Sequence, residues 1–235
     1  MVSRFALPTV IVAIAVACGA CDKSAPTSPS LPVRATRPDP LPSFTFSGRV
    51  TEPGSGLPIE GATVSTQDGA LATTTDENGS YRLAGVPQGG RWFRFSKPDF
   101  EPGFRWHMLT SDATGDIRLQ RRLVIQAGET VMTTAYPDDP LHSTDFLDEG
   151  SCEPCKLVRV TVPRAGELTV RLTVRADPPR LGLKVEPDGL VAQEVGCCKQ
   201  AIEGTFRVTS REVVAFIYLR PSAGTQEFEL STELR

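Results

Sequence analysis

The sequence predicts an all-β protein with two consecutive antiparallel β-sandwich domains, which follow a signal peptide and a disordered linker. The 235 residues include 20 Gly and 20 Pro, which separate short Val- and Thr-rich runs that alternate apolar with polar residues. A chain of this length can hold two domains, each with a core of its own. The net charge of −3 argues against nucleic acid as a partner, because phosphate backbones require a basic surface.

Residues 1–20 predict an export signal. The apolar run over residues 5–17 is too short to span a bilayer, which takes about 20 residues, and small residues follow it before a cysteine. The letters AVACGAC resemble the lipobox of bacterial lipoproteins, in which the cysteine carries the lipid. The resemblance implies lipidation at Cys18, with Cys21 as the alternative, or else an ordinary signal peptide cleaved near Ala20. It implies an exported, membrane-anchored protein of the bacterial cell envelope, in the outer membrane or at the cell surface.

Residues 21–43 predict a flexible tether. The segment is rich in Pro, Ser and Thr and has almost no large apolar residue, so burial cannot offset the entropy of ordering it. We expect it to hold the folded part away from the membrane.

Residues 44–124 predict the first β-sandwich, with seven strands. A DENG sequence separates two of its apolar runs; Asp76 can accept backbone N–H groups and Gly79 can adopt a positive φ. We expect this turn to close a hairpin.

Four spaced elements of this segment form a recognisable pattern: Gly48-x-Val50, Pro58-Ile59-x-Gly61-Ala62-x-Val64, Thr75-Asp76-x-x-Gly79-x-Tyr81 and Gly85-Val86-Pro87-x-Gly89. Together they resemble the carboxypeptidase regulatory-like domain, a transthyretin-like sandwich. The resemblance implies a scaffold fold and no peptidase activity, since the family name refers to an accessory domain.

Residues 125–235 predict a second, jelly-roll-like β-sandwich of about eight strands. Apolar residues alternate along two successive runs, Val158–Val162 and Leu168–Val174, with a turn over 163–166 between them. We expect these runs to pair as a hairpin. The run VTVPRAGELTVRL resembles the bacterial prepeptidase C-terminal type of sandwich.

Four cysteines of the second half predict disulfides: Cys152, Cys155, Cys197 and Cys198. Export places them in an oxidising setting, and adjacent cysteines fit one tetrahedral metal ion poorly. Three pairings are open. A bond between neighbours 197 and 198 would require a strained ring, so we expect cross-links between the two pairs, such as Cys155 to Cys197.

No catalytic centre is expected. The two histidines, His107 and His142, lie in no HExxH pattern, and GxSxG is absent. An acidic loop could bind calcium, but such a run is more often a solvated surface: Asp138, Asp139, Asp145, Asp148 and Glu149. We therefore expect no metal, no cofactor and no enzymatic activity.

Trp92 and Arg94 are the candidate ligand-binding residues. They alternate with Phe93 and Phe95, so they share the opposite face of a strand and could form a platform for a sugar ring. Core packing is the commoner outcome for an aromatic residue such as Trp92, and we expect it for Trp106. The expected function is a non-enzymatic, lipid-anchored envelope protein with two binding or spacer modules, whose partners are the membrane and a glycan or envelope protein. The alternative is a carbohydrate-binding module that assists a separate enzyme.

Overall fold

A computed structural model of the protein describes residues 41–140, 154–187, 193–209, 211–220 and 223–235. The signal peptide, most of the tether and several predicted site residues lie outside these ranges: Cys18, Cys21, His142, Asp145, Asp148, Glu149 and Cys152. The regular secondary structure of the described residues is β-strand, which confirms the all-β class. In the same ranges no helix is long and apolar enough to cross a membrane.

The first sandwich comprises eight strands in two sheets. They are β1 (Ser43–Thr51), β2 (Thr63–Thr66), β3 (Ala72–Thr74), β4 (Ser80–Pro87), β5 (Gly89–Ser96), β6 (Gly103–Leu109), β7 (Ala113–Thr114) and β8 (Ile117–Arg118). One sheet has the order β4-β1-β7, with β8 also pairing with β1, and the other has the order β3-β2-β5-β6. The pairs of β1 with β7 and β8 are parallel, whereas the sequence predicts antiparallel neighbours throughout.

The core between these two sheets is aromatic. Phe46 of β1 stacks on Phe93 of β5, with ring centroids 4.0 Å apart, and Tyr81 of β4 meets Phe95 of β5 edge-on at 5.6 Å. All four side chains are buried, and rings of this size contribute roughly 2 kcal/mol each through burial. Because successive residues of a strand face opposite sides, Trp92 must face away from this core.

The DENG turn has the local structure that the sequence predicts. The Asp76 carboxylate accepts the backbone N–H groups of Asn78 and Ser80 at 2.9 and 2.8 Å, and Gly79 has φ +71°. However, the turn connects β3 to β4, which belong to different sheets. The expected hairpin is therefore wrong, because the chain crosses at this turn from one layer of the sandwich to the other.

The second sandwich has nine strands in the described part of the chain. They are β9 (Val124–Gln126), β10 (Thr130–Ala135), β11 (Cys155–Thr161), β12 (Gly166–Val174), β13 (Leu181–Glu186), β14 (Gln193–Cys197), β15 (Ala201–Val208), β16 (Glu212–Leu219) and β17 (Gln226–Leu234). Their sheet orders are β10-β17-β12-β15 and β14-β13-β16-β11-β9. The pairing of β9 with β11 is parallel.

The two alternating runs of the second half face each other across its core. Val158 and Val160 of β11 and Leu168 and Val170 of β12 are buried in the same hydrophobic cluster, so the predicted faces are correct. The predicted pairing is wrong: β11 pairs with β16 and β9, whereas β12 pairs with β15 and β17. The turn over 163–166 thus passes between sheets.

Buried polar side chains connect the two sandwiches. Arg159 of β11 donates from Nε and Nη2 to the two oxygens of Glu101, both at 2.7 Å, and Glu101 is only 2% exposed. These hydrogen bonds raise the pKa of Arg159. Nearby, the buried Gln120 amide donates to the backbone oxygen of Leu157 and accepts from its N–H, at 3.2 and 3.3 Å. Glu101 and Gln120 thus form hydrogen bonds to β11 of the second sandwich.

Candidate functional site

An aromatic pair lies on the outer side of the sheet β3-β2-β5-β6. Trp92 of β5 and Trp106 of β6 are register partners in an antiparallel pair, so their side chains share a face and are close neighbours. Phe93 and Phe95 of β5 face the core, which places this pair on the solvent side. These are the two Trp residues of the whole chain.

The structure corrects the expectation for Trp106. Trp106 is 49% exposed and Met108 is 52% exposed, whereas alternation with Phe104 led us to expect Trp106 in the core. The inner face of β6 carries His107 instead, whose ring lies 5.5 Å from that of Phe46. The indole of Trp106 extends over β5, because a Cβ at Gly90 would lie 3.0 Å from its Cζ2 atom.

We call the outer side of this sheet the tryptophan face. Its strand positions, assigned from register and alternation, are Thr63, Ser65, Ala72, Thr74, Gly90, Trp92, Arg94, Ser96, Phe104, Trp106 and Met108. The face thus combines aromatic rings with hydroxyl groups. Arg94 is the single charged residue among these positions, and its side chain is exposed, as is expected for a binding platform.

A shallow pocket of about 350 Å³ opens at one end of the tryptophan face. Its lining is Thr66, Gln67, Asp68, Gly90, Arg91 and Trp92. The Asp68 carboxylate accepts hydrogen bonds from the Thr66 hydroxyl and the Ala70 N–H, and these bonds hold its pKa below the ordinary value. Asp68 is therefore an ionised acceptor near neutral pH. Trp106, Gln67 and Asp68 were not predicted as site residues, because only the strand register brings them to Trp92.

The cysteines of the second sandwich do not pair as the sequence predicts. Cys197, at the end of β14, is bonded to its neighbour Cys198. One row of register partners crosses the five-stranded sheet: Cys155, Tyr218, Gly182 and Cys197. Three strand spacings of about 4.8 Å place Cys155 and Cys197 roughly 14 Å apart, about twice the Cα separation that a disulfide allows. The expected bond between these two residues is therefore wrong.

The described part of the acidic loop is occupied by protein contacts. Asp138 accepts from the Gly54 N–H at 3.0 Å and pairs with Arg118 at 2.7 Å. Asp139 is buried, and one of its oxygens accepts from the Tyr136 N–H at 2.8 Å. The other Asp139 oxygen has no partner among the described residues. Burial raises the pKa of the Asp139 carboxyl group to about 6. Within the described ranges no three His, Cys, Asp or Glu residues are grouped as a metal site would require.

Residues 45–131 match the carboxypeptidase regulatory-like domain family. The match confirms the resemblance inferred from the four glycine-containing elements, and it covers the tryptophan face. A comparison with curated protein sequences gives no match.

Several solved structures are similar in fold. The pre-peptidase C-terminal domain of a collagenase from Bacillus anthracis is 10% identical with a TM-score of 0.36, over 48% of this chain and 95% of that one. The major pilin subunit of Bacillus cereus is 14% identical with a TM-score of 0.29, over 82% of this chain and 59% of that one. A candidate carbohydrate-binding protein from Bacteroides uniformis is 10% identical with a TM-score of 0.27, over 83% of this chain and all of that one. The chain thus spans less than two thirds of the pilin.

Proposed function

We propose that this chain is a non-enzymatic, lipid-anchored protein of the bacterial cell envelope that binds carbohydrate through its tryptophan face. The observation that carries the proposal is the register pairing of Trp92 with Trp106 on the solvent side of a rigid sheet. Half of the Trp106 surface is exposed, although an aromatic ring of this size contributes most to stability when it is buried. Clustered exposed apolar side chains commonly mark interaction sites.

A sugar ring fits the chemistry of this face. The apolar C–H side of a pyranose can lie on an indole ring, whose π face carries partial negative charge. The sugar hydroxyls then need hydrogen-bonding groups beside the rings, which the Gln67 amide, the Asp68 carboxylate and the Ser65 hydroxyl can provide. A few polar groups around an apolar platform are typical of small-molecule sites.

The membrane anchor rests on the N-terminal sequence. The apolar run before Cys18 and the small residues around it support export and lipidation. The Pro-, Ser- and Thr-rich segment over 21–43 supports a tether between the lipid and the first sandwich. Anchoring would keep the tryptophan face close to the polysaccharides of the envelope or of the cell's surroundings.

The proposal can be tested by glycan-array binding of the full mature chain, followed by calorimetric titration with the glycans retained. We expect Trp92→Ala and Trp106→Ala each to weaken binding by at least about tenfold, equivalent to about 1.4 kcal/mol. Met132→Ala is the matched control, because Met132 is an equally exposed apolar residue of the second sandwich; this variant should bind like the wild type.

Three outcomes would contradict the proposal. Absence of any retained glycan would favour the spacer function, in which the two sandwiches only separate other components. Equal loss of affinity in the Met132→Ala and Trp92→Ala variants would show that binding does not depend on the tryptophan face. Hydrolysis of a retained glycan by the purified chain would show that the protein is an enzyme.

A further inference from the structure

Arg94 differs from the other arginines of the first sandwich in having no hydrogen-bond or ion-pair partner among the described residues. The chain has eight arginines between residues 41 and 124, all of which the structure describes. Seven of them donate to a carboxylate, a carbonyl or a hydroxyl: Arg49, Arg82, Arg91, Arg105, Arg118, Arg121 and Arg122. The guanidinium of Arg94 forms no hydrogen bond or ion pair with the described residues. The arginine that remains available to a ligand is therefore the one on the tryptophan face.

The position of Arg94 relative to Trp92 suits a ligand that contacts both. Arg94 lies two residues after Trp92 on the same face of β5, which corresponds to about 6.7 Å along the strand. Its register partner on β6 is Phe104, and on β2 it is Ser65. The pocket with Gln67 and Asp68 lies at the other end of Trp92. A chain of sugars along β5 would thus meet hydroxyl-binding groups first, then the aromatic pair, and then the guanidinium.

We propose that the ligand of the tryptophan face is a polysaccharide bearing carboxylate groups, such as a polymer of uronic acids. This inference rests on the proposed function and assigns its ligand class. A guanidinium binds a carboxylate through two parallel N–H···O bonds, which gives both affinity and orientation. An exposed guanidinium without an internal acceptor can form such a pair without first breaking another contact.

The charge distribution favours recognition of one carboxylate on a stacked sugar over recognition of a polyanion, such as a nucleic acid, by its overall charge. The whole chain carries a net charge of −3, and Arg94 is the single cation among the strand positions of the tryptophan face. In the pocket beside Trp92, the charge of Arg91 is opposed by that of Asp68. Nucleic acids are bound through many basic residues that together neutralise phosphates. One guanidinium beside two indole rings instead fits one carboxylate on a sugar whose ring stacks on tryptophan.

The test is a titration of the full mature chain with polygalacturonate and alginate, each compared with its carboxyl-reduced form. Carboxyl reduction removes the charge and keeps the sugar backbone. We expect at least one acidic polymer to bind about tenfold more tightly than its reduced form, as one charge-assisted hydrogen-bond pair would give. Arg94→Gln should bring the affinity for the acidic polymer down to that of the reduced form, and Arg94→Lys should retain part of the difference.

Arg207→Gln is the control, because Arg207 is exposed on β15 of the second sandwich and the change removes the same charge. Equal binding of the acidic and reduced polymers, or equal effects of Arg94→Gln and Arg207→Gln, would overturn the assignment of a carboxylate ligand. Loss of both polymers in Trp92→Ala with no effect of Arg94→Gln would overturn only this inference and leave the proposed function standing. Failure to bind these polymers or any other glycan would overturn both.

Discussion

Substitution of Gly79 by alanine should destabilise the first sandwich more than alanine at any unobstructed turn glycine. Gly79 has φ +71°, and the left-handed conformation costs an L-residue about 1–2 kcal/mol. A Cβ at this position would also lie 2.4 Å from the backbone oxygen of Val50. That oxygen accepts the Ile59 N–H at 3.0 Å, so it cannot move without weakening a backbone hydrogen bond.

Overpacking of a rigid contact adds about 1–3 kcal/mol, which with the conformational cost gives a total of roughly 2–5 kcal/mol for Gly79→Ala. Gly56→Ala isolates the conformational part, because Gly56 has φ +65° but no atom within 4 Å of its ideal Cβ. This control should lose only about 1–2 kcal/mol.

The assay is urea unfolding followed by tryptophan fluorescence, which reports on the first sandwich since both tryptophans belong to it. The difference between the two variants measures the clash with the Val50 carbonyl. Equal losses of unfolding free energy in Gly79→Ala and Gly56→Ala would refute this packing of the turn.

Three further predictions concern the contact between Glu101 and Arg159, the buried Asp139 and the N-terminal Cys18. Glu101→Gln should lower the free energy of unfolding by about 3 kcal/mol, because it removes the buried partner of Arg159 and leaves that guanidinium with only the exposed carboxylate of Glu212. Urea unfolding measures this, and a loss below about 1 kcal/mol, typical of exposed pairs, would contradict it. Burial raises the pKa of Asp139 to about 6, against an ordinary value of 3.8, so the folded protein binds this proton more tightly than the unfolded chain does. The contribution of Asp139 to stability is therefore fully present below pH 3.8 and is lost as the pH rises through 6. The free energy of unfolding of wild type minus that of Asp139→Asn should therefore fall over this range, and a pH-independent difference would exclude the shift. Cys18→Ser should abolish partitioning into detergent, and mass spectrometry of a mature N-terminus without lipid would contradict the proposed anchor.

Alternation in the sequence identified the buried faces but not the strand partners. The runs Val158–Val162 and Leu168–Val174 were correctly assigned one apolar face each. Two apolar faces joined by a short turn can lie side by side in a sheet or opposite each other across a core, and the periodicity is the same in both cases. The sequence therefore could not exclude the second arrangement, which is the one observed for β11 and β12.

The candidate site was predictable in part for the same reason. The flanking Phe93 and Phe95 placed Trp92 on the opposite face of β5, but the usual burial of aromatic rings favoured the core for Trp92 as well. On β6 both alternating sets contain rings, with Trp106 in one and His107 in the other, and hydropathy favoured the wrong set for the core. Only the register of β6 against β5 resolves this choice, since partners directly opposite each other must share a face.

The disulfide could not be derived from spacing along the chain. The prediction that joined Cys155 to Cys197 rested on the strained ring that a bond between neighbours 197 and 198 would require. The sheet order instead inserts β13 and β16 between β11 and β14, and that order depends on long-range pairing that local sequence does not encode.

The most direct test of glycan binding at the tryptophan face is acrylamide quenching of the intrinsic tryptophan fluorescence, with and without a bound glycan. Trp92 and Trp106 are the only tryptophans of the chain and both belong to this face, so the signal comes from the proposed site alone. A sugar stacked on the rings should shield them, so we expect the quenching constant to fall and the emission to shift to shorter wavelength at saturation. A glycan that binds the chain while quenching and emission stay unchanged would show that it binds elsewhere, which would contradict the proposed site.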